Sequence, residues 1–281
     1  MAVRIITDSA SDMSGAEHPG LTVLPLSIVF GDTVYQDGVD ISHRRFYELL
    51  MEGESLPSTG QVNPFAFGQA FERALADGEE VVAITISSKL SGTHQSAVIA
   101  AEDVQGEVHV VDSLSAAVGE RSLVCHALRL ADEGLGAAQI VREIERLRER
   151  VVVIALLDTL EYLRRGGRIS NTAGAIGEML SIKPLVTISD GEVVMLGKAR
   201  GGKNGRKLLV KEVDLAGIDP SMPMEFAYSG IDSDHLQRFI DENREKLSVG
   251  IAGDPSVHSL GATIGTHVGP GAIVLGFLRN A

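Results

Sequence analysis

The chain has 281 residues, 44% hydrophobic and 22% charged, a composition that folds into globular units and lies far from that of a disordered segment. Its net charge of −13 argues against a nonspecific nucleic-acid binder, which needs a basic face to neutralise phosphates. The longest apolar runs, 151–157 and 272–278, fall well short of the roughly 20 residues that span a bilayer, and the opening MAVRIITDSASD holds no secretory apolar core, so a cytoplasmic protein is expected.

In chain order, the β-branched run from Val3 to Ile6 predicts a strand that ends in the polar turn TDSASD. LTVLPLSIVF reads as a second strand, GDTVYQDGVDIS as a loop, and the segment from His43 to Met51 as a helix with Ser42 at its N-cap. PSTGQVNP, with two prolines and a glycine, reads as a loop, and FAFGQAFERALA has apolar residues at helical spacing behind Asn63-Pro64. VVAITIS is a buried strand, SKLSGTHQSAVIAAE runs from loop into helix, and EVHVVDS is another strand. Amphipathic helices follow from Ser115 to Leu130 and from Gly136 to Glu149. The single cysteine, Cys125, lies in the first of these and reads as a buried structural thiol.

Strand, polar loop and helix in alternation predict parallel strands with helices on both faces of the sheet. The rhythm changes in VVVIALLDTLEYLRRGGRIS, a strand, a short helix and a Gly-Gly turn, which places a domain boundary near Val151. A shorter helix is expected around Ala173 to Leu180, and KPLVTISDGEVVMLGKAR reads as a β-hairpin about its SDG turn. A helix from Lys203 to Val213, the strand MEFAYSG, a helix from Ser233 to Lys246 and the final strand AIVLGFL complete a mixed unit. The organisation predicted is α/β, with domains at 1–150 and 151–281.

Three loops concentrate hydroxyls beside helix starts: TDSASD with Thr7, Asp8, Ser9 and Ser11, PSTGQ with Ser58 and Thr59, and SSKLSGTHQSA with Ser87, Ser88, Ser91 and Thr93. Hydroxyl donors at helix N-termini suit a carboxylate or phosphate, and the same hydroxyls can also simply cap their helices. All three loops are expected at one end of the same sheet. LRRGGRISN sets Arg164, Arg165 and Arg168 about a Gly-Gly turn, a layout that can aim a guanidinium at an anion. Lys198, Arg200, Lys203, Arg206, Lys207 and Lys211 have no acidic residue among them, a docking surface for an acidic partner in this acidic chain. His267 stands in the Gly-rich GTHVGPGA directly before the final strand and is expected to meet the site rather than pack on a helix, while His94 opens the SGTHQSA helix. Asp8, Asp12 and Asp112 would suit Mg²⁺ only if they converge. GGKNGRK does not match a phosphate-binding loop, and no HExxH, CxxC or GxSxG is present.

Taken together, TDSASD, PSTGQVNP, SSKLSGTHQSA, VVDSLSAAVGE, LEYLRRGGRIS, SIKPLVTISDGEV and GTHVGPGAIVLGF resemble the DegV family, which includes the FakB fatty-acid-binding proteins, over essentially the whole chain. The resemblance implies an N-terminal three-layer α/β/α domain with a parallel sheet, a smaller C-terminal α/β domain with a mixed sheet, and a fatty acid buried at the junction. It implies that Thr59 and Ser91 hydrogen-bond the carboxylate, with Arg168 and His267 nearby and Ser58, Thr93 and Ser9 in the same neighbourhood. It further implies a carrier without cofactor that presents the carboxyl of a long-chain fatty acid to a separate ATP-dependent kinase subunit, which makes acyl phosphate. Arg164, Arg165, Lys198, Arg200, Lys203 and Arg206 are then candidates for docking that subunit. Two alternatives stay open at this point. One is a lipid-acting serine hydrolase built on Ser91, His94 or His267, and Asp8 or Asp112; the other is a lipid-sensing binding protein without a kinase partner.

Overall fold

The computed structural model describes residues 2–53, 56–169, 181–251 and 254–280. Strand β1 (Val3–Asp8) runs into a single 3-10 turn, Ser9–Ser11, capped by Asp8. The run expected as one strand at 21–30 is two, β2 (Leu21–Leu24) and β3 (Ser27–Phe30), in different sheets. Proline has no N–H to give a ladder, so the chain breaks at Pro25. Leu26 then turns its N–H to Ser9 Oγ at 3.0 Å and its carbonyl to the Asp37 N–H at 2.9 Å.

Two segments expected as loops each hold a short strand: β4 (Thr33–Gln36) and, after helix α1 (His43–Glu52), β5 (Ser58–Gly60). They flank β3 in an antiparallel three-stranded sheet. Of the three hydroxyl-rich loops, only TDSASD and SSKLSGTHQSA therefore follow strands of the parallel sheet; Ser58 and Thr59 belong to the small sheet. Helix α2 (Pro64–Ala76) starts at the Asn63 cap, as its Asn-Pro pair predicts.

β6 (Glu80–Thr85), α3 (Thr93–Asp103), β7 (Val108–Asp112), α4 (Val118–Asp132) and α5 (Ala137–Arg148) complete the first half. Helix α4 opens three residues later than its pattern suggests, because Leu114 and Ala117 take left-handed φ of 51° and 52° that no helix tolerates. The sheet, ordered β2-β1-β6-β7, is wholly parallel. Phe67, Phe71, Ala97 and Ala100 of α2 and α3 pack on the face of Ile6, Val81 and Ala83, and Leu123, Val124, Ile140 and Ile144 of α4 and α5 pack on the face of Ile5, Val82 and Ile84. The alternation along each strand thus builds a three-layer α/β/α unit.

The second half runs β8 (Val151–Leu156), α6 (Glu161–Arg165), β9 (Ile182–Ser189), β10 (Glu192–Arg200), α7 (Gly202–Ala216), β11 (Glu225–Tyr228), α8 (Asp234–Leu247), β12 (Ser256–Ser259), α9 (Ala262–Val268) and β13 (Ile273–Leu278). The helix expected around Ala173 to Leu180 lies outside the described residues. The sheet is ordered β10-β9-β8-β13-β11-β12 and is mixed, with β11 and β12 parallel and the other neighbours antiparallel. At the tip of the β9–β10 hairpin Asp190 and Gly191 take φ of 51° and 81°, the left-handed pair that a tight hairpin of this kind requires. Helices α7 and α8 cover one face; α4 lies against the other, which is why its first half is buried nearly all round.

Helix α9 carries His267, which the sequence places in a glycine-rich loop. Seven residues are too few for an isolated helix, and the sequence around α9 shows no local cap. Its support comes from residues more than 220 positions away: Asp37 accepts the N–H groups of Ala262 and Thr263 at 3.0 and 2.9 Å, and Asp12 accepts that of Gly261 at 2.7 Å.

Candidate functional site

A cavity of about 400 Å³ lies between the two large sheets, within the range of roughly 300–1,000 Å³ typical of small-molecule sites. Its floor is one face of the mixed sheet. Val153 and Ala155 of β8, Val186 and Ile188 of β9 and Val193 of β10 alternate inward, with Ala155 opposite Val186 and Ile188 opposite Val193. Leu26, Ile86 and the small Ala116 and Ala117 at the start of α4 form the facing wall, and Thr263, Ile264, His267 and Val268 of α9 form the roof. Most of this lining is aliphatic. Polar side chains gather at Thr59, Gln61, Ser91, Arg168 and His267, contributed by β5 and the residue after it, the loop before α3, the turn after α6, and α9.

The polar end is built of separate hydrogen-bonded pairs. Thr59 Oγ1 lies 3.0 Å from His267 Nε2, and Ser91 Oγ lies 2.9 Å from Thr93 Oγ1. Arg168 donates Nε to the Leu90 carbonyl at 3.1 Å and Nη1 to the Gly166 carbonyl, so its fork is held, with further N–H groups that meet no acceptor among the described residues. Gln61 donates Nε2 to Ser96 Oγ at 2.8 Å, tying the Thr59 segment to α3. Burial, with Arg168 as a second cause, pushes His267 down to about 4, so its ring is neutral near pH 7. The Gly-Gly turn explains how that ring fits: a Cβ on Gly166 would stand 2.3 Å from His267 Nδ1.

Thr59, Ser91, Arg168 and His267 are brought together. Thr93 is fully buried behind Ser91 rather than lining the cavity, with the Val62 N–H donating to its hydroxyl at 3.3 Å. Ser58 is exposed and does not line the cavity. Ser9 does not line the cavity; it stands behind it, holding the Leu26 N–H, 3.4 Å from Thr263 Oγ1 of the roof, and lines a separate pocket with Asp12, Asp37 and His43. Arg164 and Arg165 are exposed on α6, Arg165 paired with Glu161 at 2.6 Å. Lys198 and Arg200 project from edge strand β10, and Lys203, Arg206, Lys207 and Lys211 from the adjoining α7, with Arg206 3.7 Å from Glu242.

The catalytic and metal alternatives find no geometry. Ser91 Oγ meets Thr93, His94 Nδ1 meets Thr85 Oγ1 at 3.1 Å, and His267 meets Thr59, so no histidine is placed on the Ser91 hydroxyl. Asp8, Asp12 and Asp112 each spend oxygens on backbone N–H groups of Ala10 and Ile86, of Gly261, and of Ser88 and Leu114. Among the described residues no three acidic, His or Cys side chains form a metal site. Burial pushes the Cys125 thiol up to about 11, which leaves it protonated and inert. The sequence reading missed Gln61, although PSTGQ contains it, and Thr263, for which the sequence offers no signal.

An aliphatic chamber with hydroxyls, a guanidinium and a neutral imidazole at one end defines an α/β protein built to enclose an amphiphile with an anionic head. The model of the DegV family, described as an uncharacterised protein family, matches residues 2–280, and the chain belongs to that family. It is 37% identical over 276 residues to a DegV domain-containing protein of Caldanaerobacter subterraneus, covering 96% of each chain, and 34% identical to one of Deinococcus radiodurans, covering 97% of each. Among solved structures it is similar to a fatty-acid-binding DegV family protein from Thermus thermophilus, at TM-score 0.88 and 33% identity over 100% of both chains. A stearic-acid-binding protein from Eubacterium ventriosum superposes at TM-score 0.87 with 27% identity, over 99% of this chain and 98% of the other. No helix among the described residues is long and apolar enough to cross a membrane.

Proposed function

We propose that this protein is a cytoplasmic carrier that buries one long-chain fatty acid in the cavity and presents its carboxyl to a separate ATP-dependent kinase subunit for acyl-phosphate formation. The observation that carries the reading is the cavity itself: an aliphatic chamber whose polar groups collect where Thr59, Ser91, Arg168 and His267 meet. The fatty acids named for the similar Thermus and Eubacterium proteins support the ligand class. Burying about 15 methylenes at ~0.8 kcal/mol each gains on the order of 12 kcal/mol gross, so the tail supplies retention and the head group orientation. In this reading Thr59 and Ser91 hold the carboxylate, Arg168 neutralises it, and His267 orients Thr59.

The exposed cations Lys198 and Arg200 on β10 and Lys203 on α7, with the half-buried Arg206 beside them and Arg164 and Arg165 on α6, would dock the kinase. They stand out on a chain of net charge −13 and suit an acidic partner. The test is mass spectrometry of the purified chain, native and then denatured and extracted, for wild type and the Thr59→Ala, Ser91→Ala double variant. A stoichiometric fatty acid in wild type that is depleted in the variant supports the ligand and its contacts. An empty wild type that takes up no added fatty acid removes the function.

A further inference from the structure

Thr93 neither lines the cavity nor faces solvent, yet its hydroxyl joins the two segments that carry Thr59 and Ser91. Its Oγ1 receives the Val62 N–H at 3.3 Å and lies 2.9 Å from Ser91 Oγ, which also receives the Thr93 N–H at 3.2 Å. The 2.9 Å contact admits two proton orders. If Ser91 donated to Thr93, the proton of the fully buried Thr93 hydroxyl would have no acceptor among the described residues, a costly loss. If Thr93 donates to Ser91, every group is satisfied: Ser91 Oγ accepts twice, and its own proton is left to point into the cavity it lines.

The same reasoning applies at Thr59. His267 Nδ1 is buried without a partner among the described residues, and Nε2 lies 3.0 Å from Thr59 Oγ1. A buried orphan N–H is rarer than a buried orphan acceptor, so the proton belongs on Nε2, donated to Thr59. The Thr59 proton is then also free for the cavity.

We infer that Thr93 is a positioning residue which makes Ser91 a pure hydrogen-bond donor, while His267 turns the Thr59 proton to the cavity, so that the site selects a carboxylate over an uncharged hydroxyl head on the same chain. This rests on the fatty-acid reading above and adds to it the basis of head-group choice. A carboxylate accepts both hydrogen bonds; a fatty alcohol brings a proton that finds no free lone pair on Ser91 to receive it.

The experiment compares hexadecanoic acid and 1-hexadecanol binding to delipidated full-length protein at pH 7.5. Wild type should prefer the acid by about 10- to 100-fold. In Thr93→Val a lone pair of Ser91 is freed, and the preference should narrow by roughly 3- to 10-fold, with alcohol binding kept or improved. Thr93→Ser should restore it. A purely structural weakening would lower both affinities together, so an unchanged ratio in Thr93→Val overturns the inference while leaving the fatty-acid reading intact. Wild type that binds neither compound removes both. Should Thr93→Val not fold, Thr93→Cys, with its weak donor of similar size, carries the same readout. Nitrogen NMR of His267 in wild type tests the other half: a proton on Nε2 supports it, and one on Nδ1 overturns it.

Discussion

Replacing Asp37 by alanine should loosen the roof of the cavity. The carboxylate, 6% exposed, accepts two backbone N–H groups of α9, from Ala262 at 3.0 Å and Thr263 at 2.9 Å. Hydrogen bonds to a charged group contribute about 1.5–3 kcal/mol each, and loss of an N-cap alone costs about 0.5–2 kcal/mol. Water from the adjoining pocket, which Asp37 lines, can replace part of what is lost, leaving an expected cost of about 2–4 kcal/mol. Because α9 is only seven residues long, the damage should be local before it is global. Urea denaturation should give the total, and hydrogen exchange should show faster exchange over 262–268 than in β8 or β13. Stability within about 0.5 kcal/mol of wild type, with unchanged exchange in α9, would refute the claim that Asp37 holds the roof.

Gly265→Ala should also strike α9, because the added Cβ would stand 2.5 Å from Phe46 Cε1 and 2.6 Å from the Tyr47 hydroxyl; overpacking of this kind costs about 1–3 kcal/mol, read as a lowered thermal midpoint. Glu120 is fully buried with one carboxyl oxygen unpartnered among the described residues, and burial, reinforced by Asp8, holds its proton well above the usual carboxylate range. The unfolded chain ionises first as pH rises, so wild type loses stability above the ordinary glutamate range; Glu120→Gln should gain on wild type at pH 8 relative to pH 5 in urea titrations, and equal differences at both would disprove the assignment. Charge reversal of Lys203 and Arg206 should leave lipid content unchanged and weaken acyl-phosphate formation with a cognate kinase; emptying of the cavity would place those residues in the binding site instead.

The parallel sheet was legible because its signals are local: each strand is an apolar run closed by a polar turn, and each helix has its own period and cap, such as Ser42 or Asn63. Thr59 and Ser91 lie in short motifs, so they too could be named in advance. The elements that escaped depend on distant parts of the chain. α9 is stabilised by Asp12 and Asp37, and β5 exists because β3, freed by the break at Pro25, pairs with it. Ser58 and Ser9 show the opposite error. Both sit in hydroxyl-rich motifs beside true cavity residues, yet strand alternation turns Ser58 to solvent and the 3-10 turn spends Ser9 on the Leu26 N–H. Sequence neighbourhood identifies a loop, but backbone geometry decides which of its hydroxyls line the cavity.

His267 offers a final test, because its burial makes opposite demands on stability and on binding. Its ring, normally near 6.5, is pushed down to about 4 by burial and then by Arg168. Below pH 6.5 the unfolded chain takes up a proton that the folded chain refuses until about pH 4, so this contribution is present above the window and lost as pH falls through it. At about 1.4 kcal/mol per pH unit the loss is on the order of 3 kcal/mol at the acid end. His267→Gln keeps a neutral polar side chain and removes the titration, so its stability should fall less steeply between pH 6.5 and 4.5. Binding behaves differently: the ring stays uncharged in the folded protein, so fatty-acid retention should be level from pH 8 to about 5.5. Parallel stability curves for wild type and variant, or lipid lost near pH 6.5 while the fold stands, would mean that the ring takes up its proton in the folded protein near its ordinary range and would refute the claim that burial keeps it neutral.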